Sequence, residues 1–149
     1  MSITIRKARA EDESTCVALL GQLGEATGSD HEINFGSALE ALLDESRGCI
    51  LVAEEQEGSN TTLLGMASIS FNVALRYGGE YCQLEELIVS PEARGKNLGA
   101  LLVEATVKEA RNRGCADYGL YLISTTEKNR GFYEKFGFEA VGTEMRQTL

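Results

Sequence analysis

Residues 84–100, Leu-Glu-Glu-Leu-Ile-Val-Ser-Pro-Glu-Ala-Arg-Gly-Lys-Asn-Leu-Gly-Ala, decide the fold of this 149-residue chain. An apolar strand over 84–89 is followed by a loop with the only proline, a glycine-containing turn and then a helix with apolar residues at helical spacing. The first turn of a helix has N–H groups without intrahelical partners, and the helix dipole places partial positive charge there. Arg94 and Lys96 add two cations, so the turn predicts an anion site suited to a pyrophosphate.

The sequence of this turn narrows the kind of pyrophosphate site. It contains neither GxxxxGK[ST] nor GxGxxG, the patterns of nucleotide-binding loops. Arg94-Gly95-Lys96-Asn97-Leu98-Gly99 instead resembles motif A, [RQ]-x-x-G-x-[GA], of the GCN5-related N-acetyltransferases (GNAT). Asn97 replaces one motif glycine, and asparagine is the non-glycine residue that best tolerates left-handed backbone angles.

The resemblance extends along nearly the whole chain. Glu85-Glu86-Leu-Ile-Val-Ser-Pro resembles the fourth strand of the family, and the run from Asn129 to Phe138 resembles its late F-Y-x-x-x-G-F signature. The family implies a GNAT fold for residues 1–149 as one domain, an α/β fold whose central sheet is mixed and mostly antiparallel, with helices on both faces. It also implies direct transfer of an acetyl group from acetyl-CoA to an amine.

The same resemblance assigns roles to individual residues. A bulged strand is expected to bind the pantetheine arm, and the turn and helix start are expected to bind the pyrophosphate. Tyr133 is expected to be the general acid beside the sulfur, whereas Phe132, Phe136 and Phe138 suit an aromatic core. Asn129 is a further candidate at the cofactor. The expected cofactor-binding residues are Leu87, Ile88, Val89, Arg94, Gly95, Lys96, Asn97, Leu98, Gly99, Ala100 and Asn129.

Two consecutive acids interrupt the apolar strand and are candidates for the base that deprotonates the amine. Consecutive strand residues face opposite sides of a sheet, so at least one is expected to point under a helix, where burial raises a carboxyl pKa. The family resemblance implies Glu85 as the first candidate, because its position relative to Arg94 matches the acid proposed as base in some relatives, and Glu86 is the alternative. The competing interpretation is a solvated strand end.

Composition excludes several classes of protein. A net charge of −9 argues against nucleic-acid binding, which requires a basic surface. No apolar run approaches the ~20 residues of a membrane span, and no signal peptide is visible, so a cytoplasmic protein is expected. The four cysteines lack CxxC spacing, which predicts reduced thiols and no metal site.

The hydrophobic periodicity predicts alternating strands and helices. A strand is predicted at the end of the chain, where the family usually has two. That apparent abbreviation predicts a homodimer in which a partner chain completes the sheet edge. Strands are predicted over 3–9, 49–54, 63–71, 81–89, 118–124 and 138–147, and helices over 11–23, 37–45, 98–113 and 130–136, with loops over 24–35, 56–61 and 73–79.

The acceptor is not identified by any sequence signature. Its pocket is expected from residues 24–36 and 72–80, and Arg76, Tyr77 and Tyr81 are candidates for its lining, although an ordinary turn fits them equally well. His31 is expected to be an exposed loop residue. Three functions remain open: acetylation of a small-molecule amine, acetylation of a protein or peptide, and non-catalytic acyl-CoA binding on the same fold.

Overall fold

The computed structural model describes the backbone of residues 2–27 and 35–149, and the side chains of 2–22 and 35–149. His31 and most of the loop predicted over 24–35 lie outside the described residues. Short 3-10 turns occur at Ala10–Asp12, Leu75–Tyr77, Pro91–Ala93 and Glu127–Asn129. The strands are β1 (Ser2–Lys7), β2 (Gly48–Glu57), β3 (Asn60–Ala74), β4 (Gly79–Val89) and β5 (Tyr118–Gly119), and the helices are α1 (Glu13–Thr27), α2 (Ala38–Leu43), α3 (Leu98–Arg113) and α4 (Arg130–Glu134).

The five strands form one sheet in the order β1-β2-β3-β4-β5. The first four strands are antiparallel to their neighbours, and β5 joins β4 in parallel after the α3 crossover. Short turns connect β2 to β3 and β3 to β4, whereas α1 and α2 lie between β1 and β2. This is the predicted mixed, mostly antiparallel sheet. Parallel neighbours need a long connection, and here α3 provides it.

Apolar clusters cover both faces of this sheet. On the α3 face, Leu98 and Leu102 pack on Ala67 and Ile69 of β3 and Leu84 of β4. On the α1 face, the buried residues are Cys16, Leu19, Leu20, Ile50, Val52 and Met66, with Leu39 and Leu42 of α2 packed against them. Helices therefore flank both faces, as predicted, and each β3 side chain belongs to one face or the other.

The structure corrects four predicted boundaries. Helix α1 continues to Thr27, although residues 24–27 were predicted to be loop, and the predicted 56–61 loop is reduced to a two-residue turn at Gly58 and Ser59. Only Tyr118–Gly119 of the strand predicted over 118–124 pairs with β4. The strand predicted over 138–147 does not form, because those residues have no strand partner among the described residues.

All four cysteines are free, as predicted. Cys16, Cys49 and Cys82 are buried and Cys115 is partly exposed. Burial raises the pKa of the Cys16 thiol to about 11, which keeps it protonated and apolar in the core.

Candidate active site

The turn before α3 has the backbone geometry of an anion site. Gly95 has φ +90°, and Asn97, which precedes the helix, has φ +61° and ψ 24°, in the left-handed region. The asparagine therefore adopts the conformation that the motif glycine usually supplies. The Asn97 carbonyl accepts the N–H of Leu101 at 3.2 Å, so the N–H groups of the first turn of α3 point out of the helix start.

Gly99 lies where this helix start meets α4. A Cβ atom at Gly99 would lie 3.4 Å from Cζ of Phe132, so the ring already occupies the space beside the glycine. Asn129 is exposed immediately before α4, and its N–H donates to the Thr126 carbonyl at 2.9 Å. The candidate anion site is thus bordered by the aromatic start of α4.

The two predicted cations differ in their surroundings. Lys96 Nζ lies 2.7 Å from Glu55 Oε1 of β2, and the Glu55 side chain is only 14% exposed. Arg94 is exposed and makes no ion pair among the described residues. In this conformation Arg94 is the cation available to an incoming phosphate, and Lys96 is engaged elsewhere.

Strand β4 parts from β5 after Gln83, in the half of β4 that leads to the turn before α3. The two strands pair only at Cys82↔Tyr118 and Gln83↔Gly119. Beyond those pairs, the β5-side edge of Leu84–Val89 has no strand neighbour in the described part of the chain, whereas the other edge pairs with β3 as far as Val89. Backbone groups of Leu87, Ile88 and Val89 are therefore available to an extended ligand between the two strands.

A β-bulge lies in β4 where the strands part. Ser68 of β3 pairs with Glu86, but the next residue, Ile69, pairs with Leu84, so Glu85 is an extra residue. Ser70 Oγ donates to Glu85 Oε2 at 2.6 Å, and Ser68 Oγ donates to Glu86 Oε2. Because Ser68 and Ser70 are two residues apart and share a sheet face, both carboxylates lie on that face. The expectation of opposite faces is wrong, and the bulge is the reason.

The two carboxylates differ in burial. Glu85 is exposed, whereas Glu86 is partly buried. Burial raises the pKa of Glu86, the nearby Glu85 charge adds to that increase, and the Ser68 hydrogen bond opposes it. Glu86 is therefore better suited than Glu85 to act as a general base, because burial raises its pKa toward the working pH.

Tyr133 lies on the opposite side of the sheet. Its ring packs against the α3-face cluster and makes edge contacts with Phe132, at a centroid distance of 5.0 Å, and with Phe138, at 6.1 Å. Its hydroxyl makes no hydrogen bond to any described residue, and burial raises its pKa. A neutral phenol with an uncommitted O–H group is suited to donate a proton.

A cavity of about 1090 Å³ opens beside Tyr133. It extends between the segment after β5 and the segment after α4, and Tyr118, Leu120, Tyr133 and Phe138 contribute to its walls. Neither Glu85 nor Glu86 lines it. The candidate base and acid are thus reached from different sides of the sheet, with the opening between β4 and β5 separating them.

The candidate acceptor residues form a separate cluster at the β3–β4 turn. The Arg76 guanidinium lies 4.7 Å from the Tyr77 ring centroid and 5.3 Å from that of Tyr81. The Tyr77 hydroxyl donates to Asp117 at 2.8 Å. These contacts account for the three side chains as a stabilised turn, and their role at an acceptor stays a prediction.

Sequence reasoning missed the polar partners of the two carboxylates. Ser68, Ser70 and Asn72 alternate with apolar residues along β3, and Asn72 Nδ2 donates to Ser70 Oγ at 2.9 Å. Polar residues at every second position of a largely apolar strand are the signal that was available. It indicates a polar stripe on one face of the sheet.

Comparison with known proteins agrees with this geometry. The model of the acetyltransferase (GNAT) family matches residues 14–138. A probable glucosamine 6-phosphate N-acetyltransferase of Oryza sativa subsp. japonica is 35% identical, over 97% of this chain and 86% of its own length. The thialysine N-epsilon-acetyltransferase of Mus musculus is 26% identical, over 91% of this chain and 84% of its own length. A predicted acetyltransferase of Clostridium acetobutylicum, solved with acetyl-CoA, superposes with a TM-score of 0.76 at 19% identity, covering 99% of this chain and 96% of the other.

The family match and the named relatives define the class of protein as an acyl-CoA-dependent acyltransferase. The chain belongs to the GNAT family and is an N-acetyltransferase. Enzymes of this family take the acetyl group from acetyl-CoA. The positive φ angles of Gly95 and Asn97, and the unpaired edge of β4 among the described residues, are compatible with acetyl-CoA.

Proposed function

We propose that this enzyme transfers the acetyl group of acetyl-CoA directly to the primary amine of a small polar molecule, with an amino sugar phosphate as the first acceptor to test. The observation that carries the proposal is the pair of carboxylates at the β4 bulge, next to the open strand edge. Both carboxylates lie on the α1 face of the sheet, which is the acceptor face in this proposal. Carboxylates favour an ammonium group and accept hydrogen bonds from hydroxyls. The relative that shares 35% identity is named for glucosamine 6-phosphate.

In this proposal the chain binds acetyl-CoA with three elements. Backbone N–H groups at the start of α3, from Leu98 to Ala100, bind the pyrophosphate, with Gly95, Lys96 and Asn97 shaping the turn and Arg94 adding charge. The open edge of β4 at Leu87, Ile88 and Val89 aligns the pantetheine arm and polarises the thioester carbonyl. Asn129 borders the same site at the start of α4.

Two side chains handle the protons. Glu86 accepts a proton from the ammonium group on the acceptor face, directly or through water, and passes it to solvent, while Glu85 binds the acceptor and remains the alternative base. Tyr133 donates its hydroxyl proton to the departing sulfur and recovers one from the acetylated amine. The C–S bond breaks as the N–C bond forms, one proton is released overall, and the enzyme forms no covalent bond.

An acceptor panel tests the proposal. Release of the CoA thiol should be measured with glucosamine 6-phosphate, glucosamine, thialysine, lysine and a peptide with a free N-terminus. Turnover of a small amine with kcat/KM at least about 100-fold above that of the peptide supports the proposal. Preference for the peptide would indicate a protein acetyltransferase, and acetyl-CoA binding without any turnover would indicate a binding protein.

A homodimer and a cytoplasmic location complete the proposal. Exposed apolar side chains near the end of the chain, at Val141, Met145 and Leu149, favour association with a second copy. Among the described residues, every helix is too short or too polar to span a bilayer.

A further inference from the structure

Two serines of β3 hold the two carboxylates of β4 in different surroundings. Ser68 donates to Glu86, and Ser68 is only 2% exposed. Ser70 donates to Glu85, which is exposed, and Ser70 itself accepts from Asn72. The Ser68–Glu86 pair is thus the buried member of two parallel cross-strand pairs.

The Ser68 hydroxyl is a polar group in a buried and otherwise apolar part of β3. It lies in a strand whose neighbouring residues Met66, Ala67 and Ile69 are all buried and apolar. A buried hydroxyl is costly unless it is hydrogen-bonded, and here its partner is the Glu86 carboxylate. Alanine would fill the same space without that cost, so the serine contributes its donor group and not its volume.

We propose that Ser68 is a positioning residue for Glu86: its hydroxyl orients the carboxylate on the acceptor face and favours the ionised form that takes the proton of the amine. This inference rests on the proposed role of Glu86 as the base. Ser68 touches neither acetyl-CoA nor the acceptor in this scheme and acts only through the carboxylate.

The electrostatic surroundings of Glu86 show which groups favour its ionised form and which oppose it. Burial and the Glu85 charge both favour the protonated carboxyl, and the Ser68 hydrogen bond is the opposing influence. Helix α1, which packs over this face, contributes Cys16, Leu19 and Leu20, and the Cys16 thiol is neutral. Arg146 of the C-terminal segment interacts with Glu85. Within the described residues, Ser68 alone favours ionisation of Glu86.

The test is a titration of Glu86 in the ligand-free protein by 13C NMR of its carboxyl carbon, in wild type, Ser68→Ala and Ser70→Ala. Loss of the Ser68 hydroxyl should raise the Glu86 midpoint by about one pH unit, the size expected for one hydrogen bond to a charged group. Ser70→Ala should move it by less than half as much. Ser68→Thr, which keeps the hydroxyl, should restore the wild-type midpoint.

The pH profile of kcat/KM gives the second readout. Its acidic limb should shift upward by the same amount in Ser68→Ala, with activity recovering at high pH, because the ionised carboxylate is the active form. If Ser68→Ala does not fold, Ser68→Cys keeps the side-chain volume with a weaker donor and should give an intermediate shift.

An unchanged Glu86 midpoint in folded Ser68→Ala overturns the inference, whatever the activity. The proposed base is tested separately with Glu86→Gln. Normal turnover in Glu86→Gln overturns the catalytic role of Glu86, and with it the role of Ser68 in catalysis. A shifted Glu86 midpoint in Ser68→Ala together with an unshifted pH profile of kcat/KM also overturns the inference. In that case the turnover of Glu86→Gln still tests whether Glu86 is the base.

Discussion

The Tyr133 hydroxyl has no partner among the described residues, although its ring is well packed. Tyr133→Phe removes only the hydroxyl, so acetyl-CoA affinity should change little. Turnover should fall by about 10²-fold or more, since general acids typically contribute that much. The loss should appear in kcat more than in KM, because the proton is needed only as charge develops on sulfur.

Tyr118→Phe is the matched control for Tyr133→Phe, since both rings make an edge contact with Phe138. The Tyr118 hydroxyl donates to Thr106 Oγ1 at 2.7 Å, and its removal should leave kcat within about twofold, an effect below 0.5 kcal/mol. Steady-state kinetics with an acetylated acceptor measure both variants. Wild-type kcat in Tyr133→Phe would assign Tyr133 to the aromatic core and remove it from the mechanism.

The raised pKa of Glu86 also predicts a pH-dependent stability. The folded protein binds the Glu86 proton more tightly than the unfolded chain, mainly because the carboxyl is buried. This contribution is fully present below the unfolded pKa and is lost as the pH rises through the folded value. Glu86→Gln, which cannot ionise, should therefore have a higher Tm than wild type at pH 8, and the difference should vanish near pH 4.

Thermal melts across this pH range measure that difference. Glu57→Gln removes the same charge from an exposed position at the end of β2 and should not reproduce the trend. A Glu86→Gln variant that melts below wild type at pH 8 would mean that the ionised carboxylate stabilises the fold, contrary to the argument from burial.

The residue types at these positions could be selected from the sequence, but their geometry could not. The family resemblance selected Tyr133, and two consecutive acids in an apolar strand selected Glu85 and Glu86, whose catalytic roles stay predictions. The alternation of strand side chains predicted that Glu85 and Glu86 point to opposite faces, because it assumes a regular strand. One extra residue reverses the phase, and the bulge depends on how β3 pairs with β4.

At the level of elements, the start of α3 depends on one left-handed residue. Asn97 has φ +61°, a conformation that glycine adopts freely and alanine does not. Asn97→Gly should keep acetyl-CoA affinity within about twofold, equivalent to less than 0.5 kcal/mol. Asn97→Ala should lower the free energy of unfolding by about 1 kcal/mol, measured by urea denaturation.

Asn112→Ala is the control for that measurement. Asn112 is exposed within α3 and has ordinary helical backbone angles, where alanine is slightly favoured. The free energy of unfolding of Asn112→Ala should equal or exceed that of the wild type. Equal destabilisation of both alanine variants would show that the left-handed turn is not the cause.

The anion site itself is tested at Gly99. Gly99→Glu places a side chain where Phe132 is already 3.4 Å from the Cβ position, and it adds negative charge to the helix start. Acetyl-CoA affinity should fall by about 100-fold or more, or about 2.7 kcal/mol. Calorimetric titration measures it, with Ser59→Glu adding the same charge at the exposed β2–β3 turn. Wild-type affinity in Gly99→Glu would mean that the pyrophosphate binds elsewhere.

Helix α3, which has sequence signals at both ends, was predicted to the residue, whereas the two strands predicted after it were not. The bounds of α3 agree with the prediction at both ends, since a glycine turn precedes it and Gly114, with φ +84°, ends it. The strand predicted over 118–124 is mostly unpaired because β4 and β5 part after Gln83. β propensity describes fit to a neighbouring strand, and no such neighbour is described for residues 138–147.

At the scale of the whole molecule, one group of exposed apolar side chains lies in the C-terminal segment and in the segment after β5. Val141, Met145 and Leu149 are each more than 90% exposed, and Tyr121 and Ile123 beside the short β5 are also exposed. Water-exposed apolar groups of this kind mark association surfaces. Tyr121, Ile123 and Val141 line the same cavity, and β5 is the last strand of the sheet among the described residues. A second copy could therefore cover both an apolar segment and the edge of β5.

We therefore expect a homodimer that depends on the C-terminal segment. Sedimentation velocity from 1 to 100 μM should show a dimer for the wild type. Met145→Glu with Val141→Glu should weaken it by at least about 100-fold, because charges at an apolar interface lose their hydration. Val73→Glu with Leu75→Glu is the matched control, since it adds the same charges to exposed apolar positions at the β3–β4 turn. A wild-type monomer at 100 μM would remove the dimer, and an equal effect of both double variants would place the interface outside the C-terminal segment.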